Sequence, residues 1–256
     1  GKSRLVGSLT ARVAAAGGYV LAHKFDQGSQ EQTLLEVIAV FNDLCLLIRD
    51  RGSPGSLHEI VNSLTEVFGT DLSVLALLLP NIEALAPGGR QNRGPDHHGK
   101  ERERDGQMDL RSVRFTLQRF MRVVSSAARP VVLFLDDLQW CDDSALAVIE
   151  DLLCDASGSS CCFFVGSYRS NEVDTNHAIF HLIDGLRAAD VPATMLSLKG
   201  LGPADLNTMV SDALGTFPRV CEPLSDIVFQ KTKGNPFFVL EFLRSLVDGG
   251  LLEYDT

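Results

Sequence analysis

The chain has 256 residues, 45% of them hydrophobic, and a formal net charge of -10. That length and apolar content suit one sizeable core, or one core plus a smaller helical lobe, and exclude a disordered chain. The acidic balance argues against a surface that neutralises nucleic-acid phosphates, because such affinity comes largely from Lys and Arg displacing counterions.

The chain begins Gly1-Lys2-Ser3, and Leu5, Leu9, Val13 and Ala16 then recur at helical intervals. In a G-x-x-x-x-G-K-[ST] loop, backbone N–H groups and a helix N-terminus wrap phosphate oxygens, the Lys reaches the β/γ-phosphates, and the hydroxyl ligates Mg²⁺. Gly1, Lys2 and Ser3 read as the second half of such a loop, with the first half absent. Lys2 and Arg4 before an apolar stretch also suggest a signal peptide, but Arg12 interrupts its would-be core.

Four short apolar runs are expected as buried parallel strands: Tyr19 to Phe25, Val131 to Leu135, Cys161 to Tyr168, and Ala193 to Leu198. Helical patterns run from about Lys2 to Ala16, Glu31 to Asp50, Ser56 to Phe68, Leu110 to Ala127 and Ser144 to Cys154. Later ones run from about Ala178 to Ala188, Pro203 to Leu214, Glu222 to Lys231 and Pro236 to Asp248. The alternation predicts an α/β fold whose parallel sheet is covered on both faces. The apolar run Leu72 to Leu79 ends at Pro80, far short of the roughly 20 residues that span a bilayer, so no membrane segment is expected. The segment Pro87 to Asp109 is rich in Gly and charge, and a mobile surface loop is expected there. Its run Lys100 to Arg104 alternates with Glu, as in a solvated loop rather than a nucleic-acid patch.

The six cysteines show neither C-x-x-C spacing nor the density of a disulfide scaffold, which fits reduced thiols in a cytoplasmic protein. His177 and His181 have helical spacing but no acidic or Cys partner at metal-site intervals.

The strongest local signal is VVLFLDDLQWCDDSAL, Val131 to Leu146. A buried strand that ends in two carboxylates is costly unless a cation or polar ligand sits at its tip. In P-loop NTPases this is the Walker B element: the first carboxylate, here Asp136, holds Mg²⁺, and the next, Asp137, polarises the attacking water. The plainer alternative is a strand ending in a polar turn, with Asp142 or Asp143 capping the next helix. Arg169, after the following strand, is placed to reach a γ-phosphate or, alternatively, to pair with Glu172 on the surface. Lys233-Gly234-Asn235-Pro236 reads as an ordinary helix start.

Taken in order, GKSRL, KFDQ (Lys24 to Gln27), LFLDDLQWCD, GSYRSNEV and KGNPFFVLEFL resemble the nucleotide-binding domain of STAND ATPases, signalling relatives of the AAA+ P-loop ATPases. The branch it resembles occurs in multidomain proteins with protein-kinase, histidine-kinase or cyclase modules, and in MalT-like regulators. The resemblance implies a three-layer P-loop NTPase sandwich, strand order 5-1-4-3-2, over residues 1–199, with the charged loop at 86–109 and a helical lid at 200–256. It implies ATP or ADP with Mg²⁺ as ligands. Gly1, Lys2 and Ser3 would close Walker A, and Ser3 and Asp136 would hold the metal. Asp137 and Arg169 would be catalytic. Gly234 and Pro236 would form the G-x-P motif, whose proline packs near adenine, while Trp140 would pack under the Walker B turn. Expected partners are ATP and other domains of the same parent chain, with neither nucleic acid nor membrane and with nucleotide-dependent oligomerisation open. The strand and glycines preceding Gly1 and the winged-helix module of the family are not in the sequence. Loss of a central strand would leave unpaired backbone groups on both sides, so weak nucleotide binding by this span alone is expected. The function implied is a slowly hydrolysing ATP switch; a degenerate, non-hydrolysing scaffold is the alternative. An AAA+ nucleic-acid remodeller is disfavoured by the acidic charge and by the LQW and G-N-P details.

Overall fold

The computed structural model describes residues 2–29, 32–86, 109–155 and 161–252. The charged loop expected at 86–109 lies, apart from its two end residues, outside the described residues, as does Gly1. The chain divides into two compact units: one runs from Ser3 to Ala193, and the other gathers Lys2 with the chain from Thr194 onward.

The first unit is built on three parallel strands in the order β1-β2-β3: β1 (Tyr19–Lys24), β2 (Val131–Asp136) and β3 (Cys162–Gly166). Tyr19 lies opposite Val131, which lies opposite Cys162, and the register continues to Lys24 opposite Asp136. Because side chains alternate across a strand, Tyr19, Leu21, Val131, Leu133, Leu135, Cys162 and Phe164 share one face. Helices α2 (Thr33–Arg51), α5 (Leu110–Val124) and α6 (Asp143–Leu153) contribute to the continuous core to which that face belongs. α2 sends Val37, Val40, Phe41, Leu44 and Ile48 into this core, at the spacing of one helical stripe. α5 likewise buries Val113, Leu117, Phe120 and Val124. Its arginines turn outward, where Arg114 and Arg122 pair with Asp151 and Asp155 at the end of α6.

The opposite face carries Val20, Ala22, Val132, Phe134, Phe163 and Val165. Here only Val132 and Phe134 are buried, and both stand outside the continuous core. Phe163 is 56% exposed. Among the described residues the expectation of strands buried on both faces therefore holds for β2 alone, since β1 and β3 edge the observed ladder and their second face is thinly covered.

The fourth expected strand is a correction. Residues 193–198 form no ladder among the described residues, and Met195, Leu196 and Leu198 are more than half exposed. The run has strand composition, but a strand exists only where another edge accepts its N–H and C=O groups.

α3 (Pro54–Phe68) starts at Ser53, whose side chain accepts from the Ser56 N–H at 3.3 Å, with Pro54 in the first turn. The sequence reading missed α4 (Leu72–Leu78), which buries Leu75 and Leu78. By length and composition, Pro54–Leu78 would suffice to cross a membrane, contrary to the expectation of no such segment. Here it breaks at Gly69, which has a positive φ of 50°, and Ile60, Leu64, Phe68 and Leu75 enter the core. α7 (Ala178–Ala188) packs against α6.

The second unit holds α8 (Pro203–Leu214), α9 (Pro218–Thr232) and α10 (Pro236–Asp248), each with proline in its first turn, where the missing N–H costs nothing. α9 starts earlier than the expected Glu222 because Pro218 opens it. Leu206, Val210, Cys221, Val228, Val239 and Leu243 form a small core of their own.

Candidate functional site

The site lies at the carboxyl tips of the three strands, where open parallel sheets place their ligand-binding residues. Lys24 ends β1, Asp136 ends β2, and Ser167 follows β3. The register carries Lys24 and Asp136 onto the same, thinly covered face. The Ser167 hydroxyl donates to Asp136 Oδ1, and the Asp137 N–H donates to the same oxygen at 3.1 Å.

Asp137 adopts the left-handed conformation, φ 57° and ψ 45°, which a short polar residue tolerates at a cost of about 1 kcal/mol or more. The turn aims its side chain inward, where it is 7% exposed. Three groups compensate the charge there. Arg169 makes a two-pronged contact, Nε to Oδ1 and Nη2 to Oδ2, both 3.2 Å. Gln139 Nε2 donates to Oδ1 at 3.3 Å, and Lys24 Nζ lies 3.5 Å from Oδ2. Burial pushes the Asp137 carboxyl up, but the Gln139 hydrogen bond, the Arg169 charge and hydrogen bond, and Lys24 outweigh it and hold the group below its ordinary range.

Arg169 spans two carboxylates. Its Nη1 donates to Glu172 Oε1 at 2.8 Å, a shorter contact than either to Asp137. Glu172 first, then Asp137, push the guanidinium further above its ordinary value, so it remains a fixed cation. Gln139 ties the group together: Nε2 donates to Glu172 Oε2 at 2.9 Å as well as to Asp137, while Oε1 accepts the Arg169 backbone N–H at 3.2 Å. His177 bonds through Nε2 to the Gln139 carbonyl at 3.2 Å, and its Nδ1 accepts the Ile179 N–H to cap α7. Since Nδ1 accepts, the proton sits on Nε2 and donates to that carbonyl.

Of the residues expected at the site, Asp136, Asp137 and Arg169 therefore converge. The expected pairing of Arg169 with Glu172 is present, and Arg169 also touches Asp137. The capping alternative also has its residue: Asp142 accepts the Ala145 N–H at 2.6 Å to start α6, leaving Asp136 and Asp137 to the strand tip. Trp140 is partly buried against the core, in the short turn Leu138–Trp140. Lys2 and Ser3 open α1 (Lys2–Ala15). Gly234 and Pro236 belong to the second unit. Gly234 is buried with φ 75°, its carbonyl accepts the Leu201 N–H at 2.8 Å, and a Cβ there would meet the Leu201 oxygen at 2.1 Å. Asn235 accepts the Phe237 N–H at 3.0 Å and caps α10, and Pro236 is exposed.

Sequence reasoning missed Gln139 and gave Lys24 no role. The position of Lys24 at the last residue of a strand was the available signal; Gln139 gave none beyond its place in LQW. Among the described residues no three His, Cys, Asp or Glu side chains cluster as a metal site. The cysteines are free, and burial pushes the Cys45 thiol up to about 12 and that of Cys162 to about 11, as in inert core residues.

Residues 1–164 match the family described as the AAA ATPase domain. A relative, hybrid signal transduction histidine kinase G of Dictyostelium discoideum, is 24% identical over an alignment covering 91% of this chain. The chain spans only 8% of that relative's length. No solved structure matches.

Proposed function

Because the chain belongs to the AAA ATPase domain family, we propose that it is an ATP-binding, slowly hydrolysing switch domain of a multidomain signal-transduction protein. The observation that carries this reading is the convergence of Asp137, Arg169 and Lys24 beside Asp136 at the strand tips. A carboxylate beside a carboxylate is the arrangement that metal binding and water activation need, and an adjacent arginine is the group that transferring phosphoryl charge needs.

The finer placement follows the motif order. Gly1, Lys2 and Ser3 end Walker A and bind phosphate, Asp136 and Asp137 form Walker B, and Gly234 and Pro236 serve the nucleotide as the STAND G-x-P motif. The three observed strands are then consecutive members of the 5-1-4-3-2 order, and residues 200–256 act as the lid. The donor set suits Mg²⁺, which takes hard oxygens from one or two carboxylates together with substrate phosphates and water. Asp136 and, from its motif position, Ser3 would hold the ion, whose chemistry is to neutralise phosphate charge. Asp137 orients and deprotonates the attacking water, and Arg169 meets the γ-phosphate. ATP and ADP then select two signalling states, and hydrolysis resets the output. A cytoplasmic location and partner domains of kinase or cyclase type belong to the same proposal, as does nucleotide-dependent oligomerisation.

The test uses the complete natural chain that carries this domain. Lys2→Ala abolishes ATP binding, whereas Asp137→Asn retains binding and lowers kcat by about 10²- to 10⁴-fold. Retained hydrolysis in either variant overturns the assignment. One observation favours a second reading, a non-hydrolysing scaffold: among the described residues, the outer edge of β3 and the exposed apolar run 194–198 both lack a strand partner. A signalling output unchanged in both variants would favour that reading.

A further inference from the structure

We infer that Glu172 is a positioning residue that sets how strongly the site prefers ATP over ADP, by holding Arg169 on the Asp137 carboxylate until a γ-phosphate competes for it. The inference rests on the nucleotide-binding reading above and goes beyond it.

The geometry carries the argument. Arg169 uses Nε, Nη1 and Nη2, and every one of these nitrogens is engaged by a carboxylate: two by Asp137 and one by Glu172. Three of its five N–H donors are thus committed, and the Nε/Nη2 edge is aligned on Asp137, so meeting a phosphate with that edge means giving up bonds already made. When Arg169 leaves, Asp137 gives up two hydrogen bonds and keeps Gln139 as a donor and Lys24 as a facing charge. Glu172 gives up its 2.8 Å contact with Arg169 and keeps the Gln139 hydrogen bond, a neutral donor, so part of the cost of moving Arg169 falls on this pair. Glu172 is 25% exposed on its side chain and Arg169 47%, so the pair is wet enough to exchange rather than lock. Gln139 fixes the pivot, since its Oε1 holds the Arg169 backbone N–H while the guanidinium moves.

An ADP-bound site offers no γ-phosphate, and Arg169 stays with its carboxylates. An ATP-bound site offers one, and the affinity gained is what the phosphate contact gives minus what the carboxylate contacts held. Glu172 thus weakens ATP binding selectively, which keeps the resting site from committing to the triphosphate state. Asp137, meanwhile, works as a base only once Arg169 has moved, so the same step that reads the γ-phosphate releases the water-activating group.

The experiment measures the affinities of ADP and of a non-hydrolysable ATP analogue by calorimetry, on the complete natural chain. Glu172→Gln is expected to tighten the ATP analogue about two- to five-fold, the range of one partly exposed ion pair, and to leave ADP unchanged. Glu172→Asp, which keeps the charge, restores the wild-type ratio. In an Arg169→Met background, Glu172→Gln loses its effect, because the pair that it acts through is gone. A change of equal size for both nucleotides, or an effect that persists without Arg169, overturns the inference, as does an unchanged ratio in Glu172→Gln. If the wild-type chain binds neither nucleotide, the nucleotide-binding reading fails and takes this inference with it; if it binds both, only the role of Glu172 is at stake. Unfolding midpoints of each variant confirm that the fold is intact.

Discussion

The two faces of the sheet differ more than the three strands do. On one, Leu133 and Leu135 lie in a continuous core with Phe41, Leu117 and Phe120. On the other, Phe163 is 56% exposed, and Val132 and Phe134 stand outside that core. Lys24 and Asp136 end their strands on this thinner face, and Ser167, whose hydroxyl reaches Asp136, follows β3 beside them. The pleat thus sets the continuous core on one face and the charged strand ends Lys24 and Asp136 on the other, where Val132 and Phe134 are also buried.

Substitutions on the two faces test that division. Leu133→Ala removes a side chain 3% exposed within the packed core and is expected to cost about 2–5 kcal/mol, read from chemical denaturation. A loss below about 1 kcal/mol would mean that the covered face is not the stabilising one. A smaller effect is expected from Asp137→Asn. Asn tolerates the same left-handed backbone, so the change removes charge without forcing the turn.

Asp137 carries a carboxyl held below its ordinary value by Gln139, Arg169 and Lys24 against burial. Its contribution to stability is therefore fully present above the unfolded value of about 4 and is lost as pH falls through the lower folded value. The wild type should exceed Asp137→Asn by about 1 kcal/mol or less at pH 7, and thermal melts should show that advantage shrinking below pH ~4. An advantage that grows on acidification would contradict the assigned partners. The smallest effect is expected from Phe163→Ser, within about 0.5 kcal/mol by denaturation, because the ring is already mostly in water. A loss as large as that of Leu133→Ala would abolish the contrast between the faces.

β2 was legible because five consecutive apolar residues end in two carboxylates, a pattern that fits a strand buried on both faces. α10 was legible through the proline in its first turn and the polar turn before it, whereas the sequence pattern starts α3 only at Ser56, past Pro54 and its cap Ser53. Residues 193–198 misled, because their apolar composition says nothing about whether an edge is available. α4 was hidden by Gly69, which divides one apolar helical stretch into two. At the site, Asp136, Asp137 and Arg169 announced themselves by position at strand ends. The bonds joining Gln139 and Lys24 to them did not, since these contacts cross strands and loops and depend on register and rotamer rather than on spacing. The spacing of Arg169 left its pairing with Glu172 open, and its further contact with Asp137 was not legible.

The left-handed turn at Asp137 restricts which acid can occupy that position. Glutamate has the same charge and one more methylene, but in that conformation it lacks the short local hydrogen-bonding reach by which Asp and Asn offset the backbone cost. The main chain therefore favours the shorter carboxylate, although Lys233 holds a similar conformation with a long side chain. A designer who lengthened this acid to bring it nearer to a substrate would first have to reshape the loop that carries it.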